Sequence, residues 1–276
     1  MALNVISNYA ANVAHRNLQA SDMQATSSLA KLSAGTRVLS AKDDAASLAI
    51  GSRLSAEVAG LKQASVNAGQ AVSMLQIADG AMAKVQDILV RMKTLAIQAG
   101  SGQLSNIERG MLDTEYQALL LEVDRIAADT DFSGTKLVDG SFAGVDFKVG
   151  TGTVATEDVI TLTISGIDTT TLGIDGTDIT TVATADAASI ALSTAIDTLN
   201  TTRAQVGAAE NRLEFAAANI ATAQENTEAA RSSLMDLDIA AEMSNFTSKQ
   251  ILMQSGVAML AQANQMPQTL LRLFQQ

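Results

Sequence analysis

The sequence predicts a mainly α protein: a long antiparallel coiled-coil helical rod with a small β-hairpin region and paired N- and C-termini. Three observations predict it. A single Pro in 276 residues permits very long uninterrupted helices. Apolar residues recur at sevenfold spacing in two long stretches, one in each half of the chain. Between them lies a Gly- and Thr-rich segment, so the order mirrors itself: terminal helix, long helix, excursion, long helix, terminal helix. That order returns both chain ends to one side.

Residues 1–33 read as the first helix, with Leu3, Ile6, Val13, Leu18, Leu29 and Leu32 among alanines and small polar residues, and Gly35 ends the pattern. Asp43 and Asp44 open the second helix, where acidic groups in a first turn suit the helix dipole. One seam follows as Leu54, Leu61, Ala68, Leu75, Met82, Leu89 and Ala96. A second seam starts as Val58, Ser65 and Val72, then slips by a position to Val85 and Met92. At 1.5 Å per residue a helix from Ala45 to Ala99 would be roughly 80 Å long, which needs a partner along most of its length. The stretch GSGQLSN (100–106) is a turn. A helix from about Ser105 to Asp129 follows, apolar at Leu112, Tyr116, Leu119, Leu120, Val123 and Ile126, and the short loop makes it an antiparallel neighbour.

Composition then changes. Residues 136–190 hold seven Gly and twelve Thr, with β-branched alternation in VITLTIS (159–165) and FKVG at 147–150, which reads as one or two hairpins in an exposed, variable excursion. Heptads return at Leu192, Leu199, Val206, Leu213 and Ile220, with Ile196 and Ala217 between them. The last segment repeats the spacing at Ile239, Phe246, Met253, Leu260 and Phe274, interrupted by Pro267. The segments divide as 1–42 (N-terminal helix of an inner core), 43–138 (coiled coil, N-terminal part), 139–186 (hairpin and short variable region), 187–235 (coiled coil, C-terminal part) and 236–276 (C-terminal helix of the inner core).

The counts exclude most chemistry. With no Cys there is no disulfide framework or thiolate, and the lone His15 cannot form an H-E-x-x-H zinc site. His15 is read as a packing or interface residue. Asp43 and Asp44 are read as a helix cap and a subunit salt-bridge site beside Lys42 or Arg37, not as an acid–base pair. Met82, Met92, Met243, Met253 and Met259 fall on helical stripes and fill cores and interfaces. GTGT at 150–153 lacks the Lys-Ser/Thr ending of a phosphate loop. No catalytic, cofactor-binding or metal-binding residue is expected, and the protein is not expected to be an enzyme. The net charge of −11, with no basic run, excludes a nucleic-acid binder of the usual kind. Residues 250–271 carry no charge but hold Gln250, Gln254, Gln262, Asn264, Gln265 and Gln268, so they are expected to pack on protein and not to be membrane-embedded. The N-terminus shows no basic-then-apolar leader pattern, and no cleaved signal is expected.

Only Glu242, Lys249 and Arg272 are charged after Asp238, and only His15 and Arg16 can be charged within residues 1–20. Helices apolar on several faces need partners, and another copy of the chain is the simplest one. A head-to-tail contact that does not close gives a helical filament.

Two stretches are specific. SLAKLSAGTRVLSAKDDAASLAIGSRL (28–54) strongly resembles the N-terminal signature of bacterial flagellins, and MLAQANQMPQTLLRLFQQ (259–276) their C-terminal signature. LVRMKTLAIQA (89–99), DFSGTKL (131–137) and DFKVG (146–150) resemble flagellin segments in the same order, so the resemblance covers nearly the whole chain outside about 151–186. Arg37-Val38-Leu39-Ser40 departs from the usual R-I-N-S, and the large outer insertion is missing.

The resemblance implies a structural subunit of many copies that self-assembles into the flagellar filament for swimming. It implies export through the flagellar type III system to the cell exterior, a chaperone on the C-terminal segment, and filament cap and hook-junction proteins as partners. It places Leu3, Ile6, Val13, Leu18, Leu29, Ile239, Phe246, Met253, Leu260, Leu271 and Phe274 in the inner-core subunit interface. It also implies a Toll-like receptor 5 surface at Arg91, Leu95 and Glu115, although Thr94 replaces the usual Glu and Leu119 the usual Arg, which argues against strong detection. The alternative is a hook–filament junction protein with flagellin-like ends, disfavoured by the match through 28–150. A protease-bearing flagellin would need H-E-x-x-H and a longer insertion.

Overall fold

The computed structural model describes residues 8–152 and 158–273, with side chains of the last helix described through 265. Among these residues the chain forms five helices: α1 (Tyr9–Ala34), α2 (Ala45–Ala99), α3 (Asn106–Asp129), α4 (Val182–Met235) and α5 (Ile239–Leu273). Four short strands lie between α3 and α4: β1 (Asp131–Phe132), β2 (Thr135–Lys136), β3 (Val145–Lys148) and β4 (Val159–Leu162). They pair antiparallel as β1–β2 and β3–β4. The chain divides into two compact units: Met1–Ala56 with Asn226–Gln276, and Glu57–Glu225.

In the first unit α1 packs on α5. Asn8 caps α1 through its side-chain oxygen, which accepts from the Ala11 N–H at 3.0 Å, and Gly35 closes the helix in the left-handed region at φ +68°, where glycine has no steric penalty. The two Asp residues stand just ahead of α2 and not within its first turn. Asp44 Oδ1 accepts from the N–H groups of Ala46 and Ser47, and Asp43 Oδ2 from those of Leu39 and Ser40. Arg37 donates to the Leu234 carbonyl at 2.9 Å, and a backbone bridge joins Thr36 to Asp236. Met235 packs closely on Gly51 here, since a Cβ there would meet Met235 Sδ at 2.5 Å and the thioether would have to shift.

Pro267 does not interrupt the last helix, whose backbone continues to Leu273. A proline costs a helix the bond to the carbonyl four residues earlier, here that of Ala263. The Asn8 side-chain amide donates to that carbonyl at 2.8 Å. One side chain therefore caps α1 and satisfies the acceptor that Pro267 leaves open in α5. Asn8→Ala is expected to destabilise the first unit by about 2 kcal/mol, the sum of a lost cap and a lost hydrogen bond. Urea denaturation of this variant beside Asn8→Asp, which keeps the cap but not the donor, checks both parts.

The second unit contains a continuous core from α2, α3, α4 and the segment 137–179. Its α2 stripe is a strict heptad. Leu61, Ala68, Leu75, Met82, Leu89 and Ala96 alternate with Ala64, Ala71, Ala78, Val85, Met92 and Ala99, all buried. The expected slip in the second seam does not exist: Ser65 and Val72 are half-buried flanks, and small alanines occupy the seam itself. The α4 stripe behaves likewise, with Ala185, Leu192, Leu199, Val206, Leu213 and Ile220 beside Ala188, Ala195 and Thr202. Ile196 and Ala217 are half-buried flanks. The helices run antiparallel, since Gly100 lies beside Asp186 while Arg203 forks onto Asp79 at 2.8 and 3.2 Å. Ser105 and Glu108 form a reciprocal capping box at the start of α3. Arg109 is buried, donating to the carbonyls of Ala99 and Ser101 at the C-terminal end of α2.

The Thr-rich segment is not an exposed excursion. Ile160, Leu162, Ile164, Ile167, Leu172, Ile174 and Ile179 are all buried. Side chains of α3 hold the segment in place of a sheet: Asp124 accepts from the N–H and hydroxyl of Thr169, Asp113 from the Ile179 N–H, and Gln117 donates to the Thr177 carbonyl. The Tyr116 hydroxyl pairs with that of Thr177 at 2.7 Å. Ahead of it, Ser133 and Gly134 at φ +53° and +86° make the two-residue turn of β1–β2, whose twist suits a tight hairpin.

Candidate functional site

Surface faces, not a cleft, are what the structure offers as functional. In the first unit the inward stripe of α1 is Ala11, Ala14, Leu18, Ser21, Ala25, Ser28 and Leu32, at alternating spacings of four and three. That of α5 is Glu242, Phe246, Lys249, Met253, Gly256, Leu260 and Ala263. Gly256 permits close approach of the helices, since a Cβ there would stand 3.3 Å from Leu18 Cδ1. Most of these residues stay half-buried, because two helices cover each other on one side only.

Of the residues expected at a subunit interface, Leu18, Phe246, Met253 and Leu260 lie along this seam, half-buried within the chain. Val13 is half-buried and lines an open groove between the two helices, across from Leu252 and Met259. Leu29 and Ile239 are more than half exposed. Leu3, Ile6 and Phe274 lie outside the described residues, as does the side chain of Leu271. Sequence reasoning missed the rest of the exposed apolar face: Tyr9, Met23, Ile251, Leu252 and Val257, with Met243 and Met259 read only as stripe fillers. The signal that could have found them is the scarcity of charge from 239 onward, which leaves no face of α5 strongly polar. His15 is exposed on α1.

In the second unit Arg91 and Glu115, two of the residues expected at a receptor surface, form an ion pair with Nη2–Oε1 at 2.7 Å and both side chains about half exposed. Leu95 does not share that surface. It is 1% exposed and belongs to the core beneath. Thr94 turns its hydroxyl onto the Val90 carbonyl, and Leu119 is half-buried.

Several carboxyls are held below their ordinary range by hydrogen bonds to the ionised form. The Ser40 and Leu39 N–H groups act on Asp43, the Ser47 hydroxyl and N–H on Asp44, the Ser105 N–H on Glu108, the Ser141 hydroxyl on Asp139 and the Thr180 hydroxyl on Asp178. Burial pushes the Tyr116 phenol up, against the Thr177 hydrogen bond. Each of these carboxyls releases its proton more readily folded than unfolded. The stability they contribute is present above the unfolded value of about 4 and is lost as pH falls through the lower folded values. Thermal melting followed by circular dichroism is expected to fall steadily below about pH 4, and the triple variant Asp43→Asn, Asp44→Asn, Glu108→Gln to melt lower at neutral pH with a shallower acid fall.

Among the described residues no group of three or more His, Asp or Glu side chains is placed to hold a metal, and no helix is long and apolar enough to cross a membrane. The model of the bacterial flagellin N-terminal helical region matches residues 5–143, and that of the bacterial flagellin C-terminal helical region matches residues 190–274. The chain is 38% identical over 263 residues to a flagellin of Halalkalibacterium halodurans, covering 95% of this chain and 96% of that protein. It is 35% identical over 279 residues to a flagellar filament 30.7 kDa core protein of Treponema maltophilum, covering 97% and 98%. A solved structure from Vibrio parahaemolyticus, described as a putative flagellar hook-associated protein, superposes with a TM-score of 0.57 over 70% of this chain and 100% of that one; at 16% identity it shows the fold alone. Matched at both ends and aligned along nearly its whole length, the chain belongs to the bacterial flagellin family.

Proposed function

We infer that this chain is a repeating structural subunit of a bacterial flagellar filament, acting by self-association. The observation that carries the reading is the pair α1 and α5, which keeps large apolar side chains such as Tyr9, Leu252, Val257 and Met259 exposed. In a folded soluble chain such faces mark interaction surfaces. Copies of a chain with net charge −11 repel at long range, so contact is expected across these sparsely charged faces.

The inner-core interface includes Leu3, Ile6, Val13, Leu18, Leu29, Ile239, Phe246, Met253, Leu260, Leu271 and Phe274. The segments 1–42 and 236–276 form that inner core, 43–138 and 187–235 the surrounding helical layer, and 139–186 its outer hairpin region. The chain leaves the cell through the flagellar type III system and works outside it. Before export a chaperone covers the apolar C-terminal segment, and at the growing tip the chain meets the cap and hook-junction proteins. It performs no catalysis. Purified chain mixed with sheared filament fragments tests the reading: elongation of the seeds into sedimentable filaments supports it, and chain that stays in the supernatant overturns it.

A further inference from the structure

The described methionines of this chain differ sharply in exposure, with Met235 and Met253 half-buried between the extremes. In the second unit Met82 and Met92 are fully buried and Met74 is 8% exposed, whereas Met111, on α3 and so on neither α1 nor α5, is 69% exposed. In the first unit Met23 is 67% exposed, Met243 48% and Met259 65%. Thioether sulfur is oxidised according to its access to solvent, so Met23, Met243 and Met259 are more susceptible by position than Met74, Met82 and Met92, and of the exposed methionines described they alone lie on α1 and α5. Met259 also lines the groove between α1 and α5 with Val13, Leu18 and Leu252, a mainly apolar wall that includes Asn17, Ser21 and Ser255.

We propose that Met23, Met243 and Met259 form a peroxide-sensitive modification site on the unassembled chain, where oxidation blocks incorporation into the filament. The inference rests on the filament reading, because only assembly covers these side chains. The sulfur lone pair takes one oxygen atom from hydrogen peroxide, the O–O bond breaks, and the remaining oxygen leaves as water with both protons. Sulfur is oxidised by two electrons and peroxide is reduced. The sulfoxide is a strong acceptor on a face that assembly must desolvate, and a buried acceptor without a donor opposes association. Once assembled, the same sulfurs are covered and resist the oxidant. The site thus discriminates free chain from filament.

The test uses purified full-length chain and filaments grown from it on seeds. After brief peroxide treatment, peptide mass spectrometry is expected to find oxygen on Met23, Met243 and Met259 of free chain at least about tenfold faster than on Met82 and Met92, and slowed in preformed filaments. The treated chain is expected to need about tenfold more protein to elongate seeds, an effect reversed by methionine sulfoxide reductases of both epimer specificities with a thiol reductant. The variant Met23→Leu, Met243→Leu, Met259→Leu is expected to elongate seeds equally well before and after peroxide. Oxidised wild-type chain that assembles normally overturns the proposal, as does loss of assembly in the treated Leu variant or equal oxidation of filaments and free chain. Untreated chain that fails to elongate seeds overturns the filament reading itself, and the proposal with it.

Discussion

Leu199→Ala is expected to destabilise the second unit by about 3 kcal/mol, because it removes a fully buried side chain from the middle of the α4 stripe and leaves a cavity among fixed neighbours. Ile196→Ala, one turn away, is expected to cost about 1 kcal/mol, since Ile196 is a half-buried flank. Ala195→Leu is expected to cost about 2 kcal/mol despite adding apolar surface, because Ala195 lies in the narrow seam with no exposed area to receive the larger group. Urea unfolding followed by far-UV circular dichroism ranks the three variants. A large cost at Ile196 with a tolerated Ala195→Leu would place the seam where large residues alone suggest it, and would contradict the structure.

The double substitution Leu252→Asp with Val257→Asp is expected to leave the chain folded and to abolish assembly. Both side chains are more than half exposed on α5, so the isolated chain loses little packing. In the proposed subunit contact two carboxylates would be desolvated without partners, at a cost of several kcal/mol. The protein concentration needed to elongate seeds is then expected to rise by at least about 100-fold. Melting of the unassembled variant near the wild-type temperature, with no growth on seeds, is the expected pair of results. Normal growth would place Leu252 and Val257 outside the contact.

The large-residue seams were legible because Leu and Met at sevenfold spacing mark one buried face of a long helix. The alanine seams were not, since alanine is favoured on every face of a helix and gives no periodic signal of its own. Larger neighbours such as Val72 and Ile196 therefore dominate the visible pattern and shift it by one position. Burial of Ile164 through Ile179 was hidden by something else. That segment has no helix or strand period, and its backbone is tied to α3 by Asp113, Gln117 and Asp124, between 45 and 66 residues away. The carbonyl that Pro267 leaves open in α5 is satisfied by Asn8, 255 residues away, which no local pattern could reveal.

At the candidate site, scarcity of charge pointed to α1 and α5, which keep large apolar side chains exposed. It could not separate Leu18 and Met253, which face the seam, from Leu29 and Ile239, which face outward, because both faces are apolar and the register decides. The Arg91–Glu115 ion pair was not legible, because the two residues lie on different helices 24 positions apart. Burial of Leu95 follows from the heptad, since it neighbours the seam residue Ala96 and lies one turn beyond Met92.

Whether copies of this chain assemble through the α1 and α5 faces is decided by helical reconstruction of filaments grown from the purified chain, at a resolution that shows side chains. The expected density has α1 and α5 packed against neighbouring copies, with Leu252, Val257 and Met259 within about 4.5 Å of another subunit. Filaments in which those three side chains face solvent, or preparations that yield no filaments, would refute assembly through these faces.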